Sequence, residues 1–235
     1  MKIKIFADGA NEEEMLKVYH QKIVTGFTTN PSLMKKAGVK DYKGFAKRIT
    51  SQIPDLPISF EVFSDDLNVM IKEARIIGSL GNNVYVKIPI TNTKGISTAP
   101  VIHTLSSEGI KVNVTAVFTP EQTKTALNAL SPDISAIISV FAGRISDTGI
   151  NPVPIMKKCK EYCVTLRPHA ELLWASCREL YSIYEAEKSG CDIITVPNAI
   201  LAKLPLIGKD LTQYSLETVR GFFADASSLG FTIIS

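Results

Sequence analysis

The sequence has few of the residues that build disulfide scaffolds or metal centres. Its 235 residues include three histidines in separate segments and four cysteines without C-x-x-C spacing, Cys159, Cys163, Cys177 and Cys191. A chain of this length with 45% hydrophobic residues can bury a core of its own, so it does not depend on disulfides. We therefore expect reduced thiols and no metal site.

Long apolar runs and clusters of one charge are also missing. The 26 basic and 23 acidic residues are spread along the chain and leave a net charge of +3, without the basic stripe of a nucleic-acid-binding protein. The first residues, MKIKIFAD, are too short and too charged for the apolar part of a signal peptide, and no apolar run approaches transmembrane length. We expect a cytoplasmic protein that binds neither nucleic acid nor membranes.

The nucleotide-binding loops of α/β proteins are absent as well. The first predicted strand ends in Asp8-Gly9-Ala10, which is not a G-x-G-x-x-G turn, and the chain contains no P-loop. The sequence therefore lacks the usual evidence for a dinucleotide-binding domain. Any bound anion should be small.

The sequence does have a regular alternation of short β-branched runs with longer stretches of helical period, which is typical of βα units and a parallel sheet. Eight units of about 25 to 30 residues predict a closed (βα)8 TIM barrel, an α/β fold, in one domain over 1–235. An open doubly wound sheet is the alternative. The predicted strands are Ile3–Asp8, Ile23–Gly26, Ile58–Phe63, Val84–Ile88, Lys111–Val117, Ile134–Val140, Glu171–Trp174 and Asp192–Val196.

Helices are predicted from the apolar period and from start and stop residues such as Asn11, Pro120 and Gly190. The polar stretches 27–33 and 141–149 predict loops. The last helix has more apolar surface than a barrel helix needs, so it docks either on a neighbouring subunit or on the bottom of its own barrel. The predicted helices are one from residue 11 and those at 41–53, 64–80, 95–108, 120–130, 153–164, 178–189, 198–206 and about 211–229.

The fourth predicted strand, within the run NVYVKIPIT at 83–91, carries one lysine in an otherwise apolar sequence. Burying the ammonium group of Lys87 without a partner costs several kcal/mol unless the group loses its proton. A neutral amine at the end of a buried strand can attack a carbonyl and form a Schiff base. The alternative is a lysine that extends from the strand end to solvent.

Polar side chains recur at the predicted C-terminal ends of the strands, where the chemistry of (βα)8 barrels takes place. Asn113 and Thr115 alternate with valines, so they point to the same face, which in a barrel is the interior. A single buried polar residue of this kind most often has a structural role and a hydrogen-bond partner. Together they supply a cation, carboxylates and hydroxyls that should meet at one site: Asp8, Thr28, Thr29, Asn30, Glu61, Lys87, Asn113, Thr115, Ser139, Arg144, Ser176 and Arg178.

Four segments resemble the transaldolase family, in particular its short bacterial and archaeal branch. They are FTTNPSL at 27–33, VKIP at 86–89, SVFAGRI at 139–145 and ASCR at 175–178, in the family's order over nearly the whole chain. The resemblance implies a barrel of the class I aldolase type that needs no cofactor. It also implies transfer of a dihydroxyacetone unit between phosphorylated sugars of the pentose phosphate pathway, by a homo-oligomer, pentamer or decamer.

The resemblance further implies roles for the residues. Lys87 would form the Schiff base with the C2 carbonyl of a ketose phosphate, and Asp8 would assist proton transfer at carbon–carbon cleavage. Glu61 would act through a water held with Thr115. The substrate would be bound by Thr28, Asn30, Asn113, Ser139, Phe141, Arg144, Ser176 and Arg178, with the two arginines on its phosphate.

Three functions remain open: two enzymatic activities and a binding function without catalysis. The fructose 6-phosphate aldolases of this family are similar but carry glutamine at the position of Glu61 and tyrosine at that of Phe141. A phenol can help to protonate the carbanionic intermediate and release free dihydroxyacetone, whereas a phenyl ring cannot. We therefore expect a transaldolase, with an aldolase as the nearest alternative and a non-catalytic sugar-phosphate-binding protein as the alternative of another class.

Overall fold

The computed structural model describes residues 2–230 and 233–234. Within these residues eight parallel strands pair in sequence order, and β1 (Lys4–Asp8) closes the circle by pairing with β8 (Ile193–Pro197). The predicted closed (βα)8 barrel is confirmed. The other strands are β2 (Gly26–Thr28), β3 (Ile58–Glu61), β4 (Val84–Pro89), β5 (Val112–Val117), β6 (Ala136–Val140) and β7 (Ala170–Trp174).

The helices begin at the capping residues that the sequence offers. Asn11, for example, accepts a hydrogen bond from Glu14 N at the start of α1, and Thr119 forms a capping box with Gln122 at the start of α6. The helices are α1 (Glu12–His20), α2 (Pro31–Lys36), α3 (Tyr42–Gln52), α4 (Leu67–Gly78), α5 (Ala99–Ser107), α6 (Pro120–Ala129), α7 (Ala142–Asp147), α8 (Pro152–Leu166), α9 (Ser182–Lys188), α10 (Asn198–Leu201) and α11 (Leu211–Leu229).

Apolar side chains fill the barrel interior. Phe6, Ile137, Leu173 and Ile193 belong to one buried cluster, to which β1, β6, β7 and β8 contribute. Gly26 lies opposite Phe6 in the β1–β2 register, and a Cβ added there would lie 2.5 Å from the Phe6 ring, so only glycine fits. The packed interior provides a floor for the site at the C-terminal ends of the strands.

The second strand lies further along the chain than predicted. The prediction followed the β-branched Ile23, but this side chain is 39% exposed and the paired residues are Gly26, Phe27 and Thr28. Phe27 is fully buried (0%) and pairs with both neighbouring strands. Pairing with β1 and β3 decides which residues form the strand, and the local sequence does not show that pairing.

Both stretches predicted as loops contain a short helix. Asn30 caps α2 by accepting a hydrogen bond from Leu33 N at 2.9 Å, and Pro31 occupies the first helical position. In α7, Ala142 and Ile145 both bury their side chains, as residues three apart on one helix face can. One turn of helix is too short for its period to stand out among polar neighbours.

Other predicted bounds differ by a few residues. α9 begins at Ser182 rather than Arg178, and the segment predicted as a helix from 198 to 206 is α10 followed by a 3₁₀ turn, Leu204–Leu206. These ends lack strong capping residues. Tyr181, which precedes α9, makes no side-chain capping bond.

The chain divides between Leu201 and Ala202 into two compact units. The first contains the barrel. In the second, α11 begins after Asp210, whose carboxylate accepts a hydrogen bond from Gln213 N, and ends at Gly230 with a φ of +67°.

The four cysteines are buried free thiols. In the part of the chain that the structure describes, every helix is too short or too polar to span a bilayer. Among the same residues, no group of three or more histidine, cysteine, aspartate and glutamate side chains is arranged to hold a metal ion.

Candidate active site

The C-terminal ends of the strands surround a cavity of about 480 Å³, and every strand of the barrel, or the loop after it, contributes to its lining. Of the twelve residues to which the resemblance gives a role, eleven border it and Asn113 does not; Thr29, which is also among the polar strand-end residues, is not part of the lining. The eleven are Asp8, Thr28, Asn30, Glu61, Lys87, Thr115, Ser139, Phe141, Arg144, Ser176 and Arg178.

Lys87 lies near the end of β4 with its side chain inside the barrel, and the residue is 6% exposed. Its Nζ donates a hydrogen bond to the Thr29 carbonyl oxygen at 2.9 Å and lies 3.2 Å from Oε2 of Glu61. Glu61 and Lys87 are register partners on β3 and β4, which explains why the two side chains meet. The amine therefore has a carboxylate beside it, which fits the expectation that the cation and the carboxylates of the strand ends meet.

Asp8, at the end of β1, brings a second carboxyl group to the cavity. Burial raises the pKa of this carboxyl above its usual range, against the opposing effects of the Lys87 charge and of a hydrogen bond from Thr28. That bond runs from Thr28 Oγ1 to Asp8 Oδ1 at 2.8 Å, and the Thr28 hydroxyl also contacts the hydroxyl of Thr195 on β8. A carboxylate with a raised pKa accepts a proton more readily than an ordinary aspartate does, as a general base requires.

Asn113, on β5, lies beneath the cavity wall and is fully buried (0%). Its Nδ2 donates to Ser59 Oγ at 3.0 Å, and its Oδ1 accepts from Ser139 Oγ at 2.7 Å. The amide therefore ties β5 to β3 and β6. It supports Ser139, which does border the cavity.

Thr115 presents a hydroxyl with unused hydrogen-bonding capacity. Its Oγ1 is buried and has no partner among the described residues. The next residue, Ala116, has a φ of +56°, and the β5–β6 register shifts between Val114 and Val117. Such an irregularity re-aims side chains next to a site, and here it leaves a hydroxyl able to bind a water or a substrate oxygen.

Two arginines lie on the β6–β7 side of the cavity. The Arg144 guanidinium, from α7, lies 5.3 Å from the centre of the Phe141 ring. Arg178 donates from Nε to Asp147 Oδ1 at 3.1 Å and from Nη2 to Asp147 Oδ2, and these bonds hold the pKa of Asp147 below its usual range. Guanidinium groups bind the oxygens of a phosphate well, so this side of the cavity is suited to an anion.

The start of α7 packs directly on the loop after β7. Gly143 N donates to the Ala175 carbonyl oxygen at 3.2 Å, and a Cβ added to Gly143 would lie 1.6 Å from the Ser176 carbonyl oxygen. Ser176 itself has a φ of +62°. This close approach, which only glycine allows, brings the segments that carry the two arginines together.

Sequence reasoning missed Ser59, Thr195 and Asp147. Ser59 and Thr195 are single hydroxyl residues within apolar strands, whereas Asn113 stood out because it alternates with Thr115 among valines. Asp147 follows Arg144 by three residues in a helix predicted as a loop. Its partner Arg178 is 31 residues away, so the sequence carries no sign of the pair.

Comparison with known proteins agrees with this geometry. The family model described as Transaldolase/Fructose-6-phosphate aldolase matches residues 5–233. The chain is similar to the probable transaldolase of Clostridium botulinum (strain Eklund 17B / Type B), at 36% identity over 215 residues, which cover 92% of this chain and 95% of the relative.

Similar relatives occur in other bacteria and in archaea. The probable transaldolase of Caldicellulosiruptor saccharolyticus is 38% identical over 203 residues, 86% of this chain and 89% of the relative. That of Methanococcus maripaludis (strain C5 / ATCC BAA-1333) is 37% identical over 215 residues, 90% of this chain and 95% of the relative. The chain belongs to the transaldolase/fructose-6-phosphate aldolase family.

Proposed function

We propose that the protein is a transaldolase of the pentose phosphate pathway. It transfers a dihydroxyacetone unit from a ketose phosphate, sedoheptulose 7-phosphate or fructose 6-phosphate, to an aldose phosphate through a Schiff base on Lys87. The observation that carries the proposal is a buried lysine amine 3.2 Å from the Glu61 carboxylate in a cavity that Asp8 also borders. The names of the relatives support the same activity.

The first step requires a free amine, because only the unprotonated form attacks a carbonyl. Glu61 is close enough to take the ammonium proton directly. The amine then adds to C2 of the ketose, and the resulting alcohol leaves as water when Glu61 returns the proton. A water bound to the unpartnered hydroxyl of Thr115 supplies a path for that proton.

The second step breaks the C3–C4 bond of the bound ketose. Asp8 accepts the proton of the C4 hydroxyl, and the electrons of the broken bond move into the protonated imine to give an enamine. The aldose leaves, and an acceptor aldehyde takes its place. The bond then forms in reverse, with Asp8 returning its proton to the new hydroxyl.

The substrate phosphate is assigned to the two arginines. Asp147 occupies Nε and one Nη of Arg178, and a guanidinium group has five N–H donors, so the remaining donors are available to an anion. Arg144 lies beside the same cavity with its guanidinium over the Phe141 ring. Together they fix the end of the sugar that does not react.

The second candidate is an aldolase that releases free dihydroxyacetone. Phe141 argues against it, because the ring at this point of the cavity has no hydroxyl to protonate the enamine. An assay of fructose 6-phosphate cleavage with and without erythrose 4-phosphate separates the two. A transaldolase forms product only with the acceptor, whereas equal rates in both assays would indicate the aldolase.

Reduction with sodium borohydride in the presence of fructose 6-phosphate tests the Schiff base. The wild-type protein should acquire a covalent adduct at Lys87, located by peptide mass spectrometry. Lys87→Ala should give no adduct and no turnover. Lys47→Ala, which changes an exposed lysine on α3, is the control and should behave as wild type. Turnover by Lys87→Ala would refute the mechanism.

We also propose that the protein is a cytoplasmic homo-oligomer, a pentamer or decamer, in which α11 docks on a neighbouring copy. Phe222 and Phe223 on this helix are 69% and 75% exposed, and apolar surface of this kind is typical of subunit contacts. The four free thiols fit a reducing compartment.

A further inference from the structure

Thr195 is a polar residue in a strand that otherwise has the sequence of a core strand, Ile-Ile-Thr-Val-Pro. It is 4% exposed and borders the cavity. Valine has almost the same shape and would avoid burying a hydroxyl, which is costly unless the hydroxyl is hydrogen-bonded. Packing alone therefore does not explain why this position carries a hydroxyl.

While Asp8 is ionised, the hydrogen bonds of Thr195 and Thr28 can run in one direction only. A threonine hydroxyl has a single hydrogen, and that of Thr28 is donated to the Asp8 carboxylate at 2.8 Å. The contact between the two threonine hydroxyls then requires Thr195 to be the donor and Thr28 Oγ1 the acceptor. The result is a chain from Thr195 through Thr28 to Asp8 in which each bond strengthens the next.

The charges that face Asp8 come from across the barrel. Lys87 on β4 favours the ionised carboxyl and Glu61 on β3 disfavours it, and Arg144 and Arg178 border the same cavity. The two strands paired with β1, β2 and β8, carry no ionisable side chain. On the side of Asp8 that faces β2 and β8, the two threonine hydroxyls are therefore the groups that stabilise its charge.

We propose that Thr195 is a positioning residue for Asp8: its hydroxyl holds the Thr28 hydroxyl on the carboxylate and so keeps Asp8 ionised and aimed as a base. The inference rests on the proposed function, in which Asp8 takes the proton of the C4 hydroxyl. When it does, the neutral acid can donate to Thr28, and Thr28 to Thr195, by rotation of the two hydroxyls. A hydroxyl at 195 can serve both states because it both donates and accepts.

The pH dependence of turnover tests the inference. Thr195→Val keeps the shape and removes the hydroxyl, so the carboxylate loses support and Asp8 is protonated at higher pH. The acidic limb of the kcat profile for transfer from fructose 6-phosphate to erythrose 4-phosphate should move up by about half a pH unit. Thr195→Ser, which restores the hydroxyl, should return the limb to the wild-type position. Thr195→Ala is a second variant without the hydroxyl and carries the same expectation as valine.

Two readouts separate the outcomes. If the limb stays in place in Thr195→Val and Thr195→Ala, the inference is wrong, and a loss of thermal stability without that shift would show that Thr195 is only structural. Borohydride trapping with fructose 6-phosphate is measured on the same proteins. An adduct in the wild type together with an unmoved limb overturns the inference alone, whereas a wild type without adduct overturns the proposed function.

Discussion

Asp8 is the residue at which the requirements of folding and of the proposed chemistry conflict. Burial raises the pKa of its carboxyl, so the native state binds this proton more tightly than the unfolded chain does. Stability from this group is therefore present at acid pH and is lost as the pH rises through the pKa of the folded state. Above that pKa, the ionised carboxyl that a base requires opposes folding.

Asp8→Asn should therefore stabilise the protein while abolishing turnover. Asparagine can still accept the hydrogen bond from Thr28 but has no charge to bury. At about pH 8 the midpoint of thermal unfolding should rise by about 2 to 4 °C for each kcal/mol of relieved burial cost. The gain should decrease as the pH falls below the folded-state pKa of Asp8 and vanish near the pKa of the unfolded chain.

Circular dichroism between about pH 4 and pH 8 measures this difference. Asp133→Asn, at an exposed position, is the control and should leave the unfolding midpoint unchanged. A midpoint for Asp8→Asn at or below that of the wild type at the alkaline end would show that Asp8 contributes to folding in its charged form.

At the scale of elements, the contact between α7 and the loop after β7 holds together the side of the cavity that carries the proposed phosphate ligands. The contact depends on Gly143, where an added Cβ would lie 1.6 Å from a backbone oxygen that cannot rotate away. One of the two segments must move apart if any side chain is added. Both segments carry an arginine, so such a movement separates the proposed phosphate ligands.

Gly143→Ala should lower stability by about 1 to 3 kcal/mol, as overpacking of a core does, and should raise KM for phosphorylated substrates more than it lowers kcat. Chemical denaturation and steady-state kinetics measure the two effects. Gly9→Ala is the control for stability, because its added Cβ would meet Asn198 Nδ2 at an ordinary contact distance of 3.7 Å. Equal stability of both variants would mean that the α7 contact is not rigid.

The number and order of the strands and the places of the longer helices could be predicted from the sequence, whereas the short helices could not. The helical period is clear over α4 or α8, which are 12 and 15 residues long, but α2 and α7 have 6 residues each and show too little of it. β2 was misplaced because its pairing with β1 and β3 is a property of the barrel. These differences concern where single elements begin and end, and the order of the strands is unaffected.

At the scale of the whole molecule, the barrel explains why the site could be largely predicted. A parallel barrel places all strand C-termini at one end, so polar residues there meet whatever their separation in sequence. The sequence did not show how deep a side chain lies or which partners it contacts. Asn113 lies below the cavity lining, with its amide bonded to Ser59 and Ser139, and Thr195 was missed because it is a single hydroxyl within an apolar strand whose partner Thr28 is far away in sequence.

The proposed oligomer gives a prediction at this scale. Replacing Phe222 and Phe223 by serine removes apolar surface from α11, so the assembly should dissociate to smaller species in sedimentation velocity experiments. A control that replaces Arg220 and Asp225 on the same helix by serine should sediment as wild type. If the phenylalanine variant keeps the wild-type sedimentation coefficient, α11 is not the contact between copies.

The closure of the barrel between β1 and β8 has a further consequence. The hydroxyl chain onto Asp8 joins side chains from β1, β2 and β8, so it exists only after the first and last strands of the barrel have met. A nascent chain on the ribosome that still lacks β8 holds Lys87 and Glu61 but not a correctly supported Asp8. Full support of Asp8 is thus coupled to synthesis of the last strand, and two half-barrel fragments would regain the hydroxyl chain only by complementing each other.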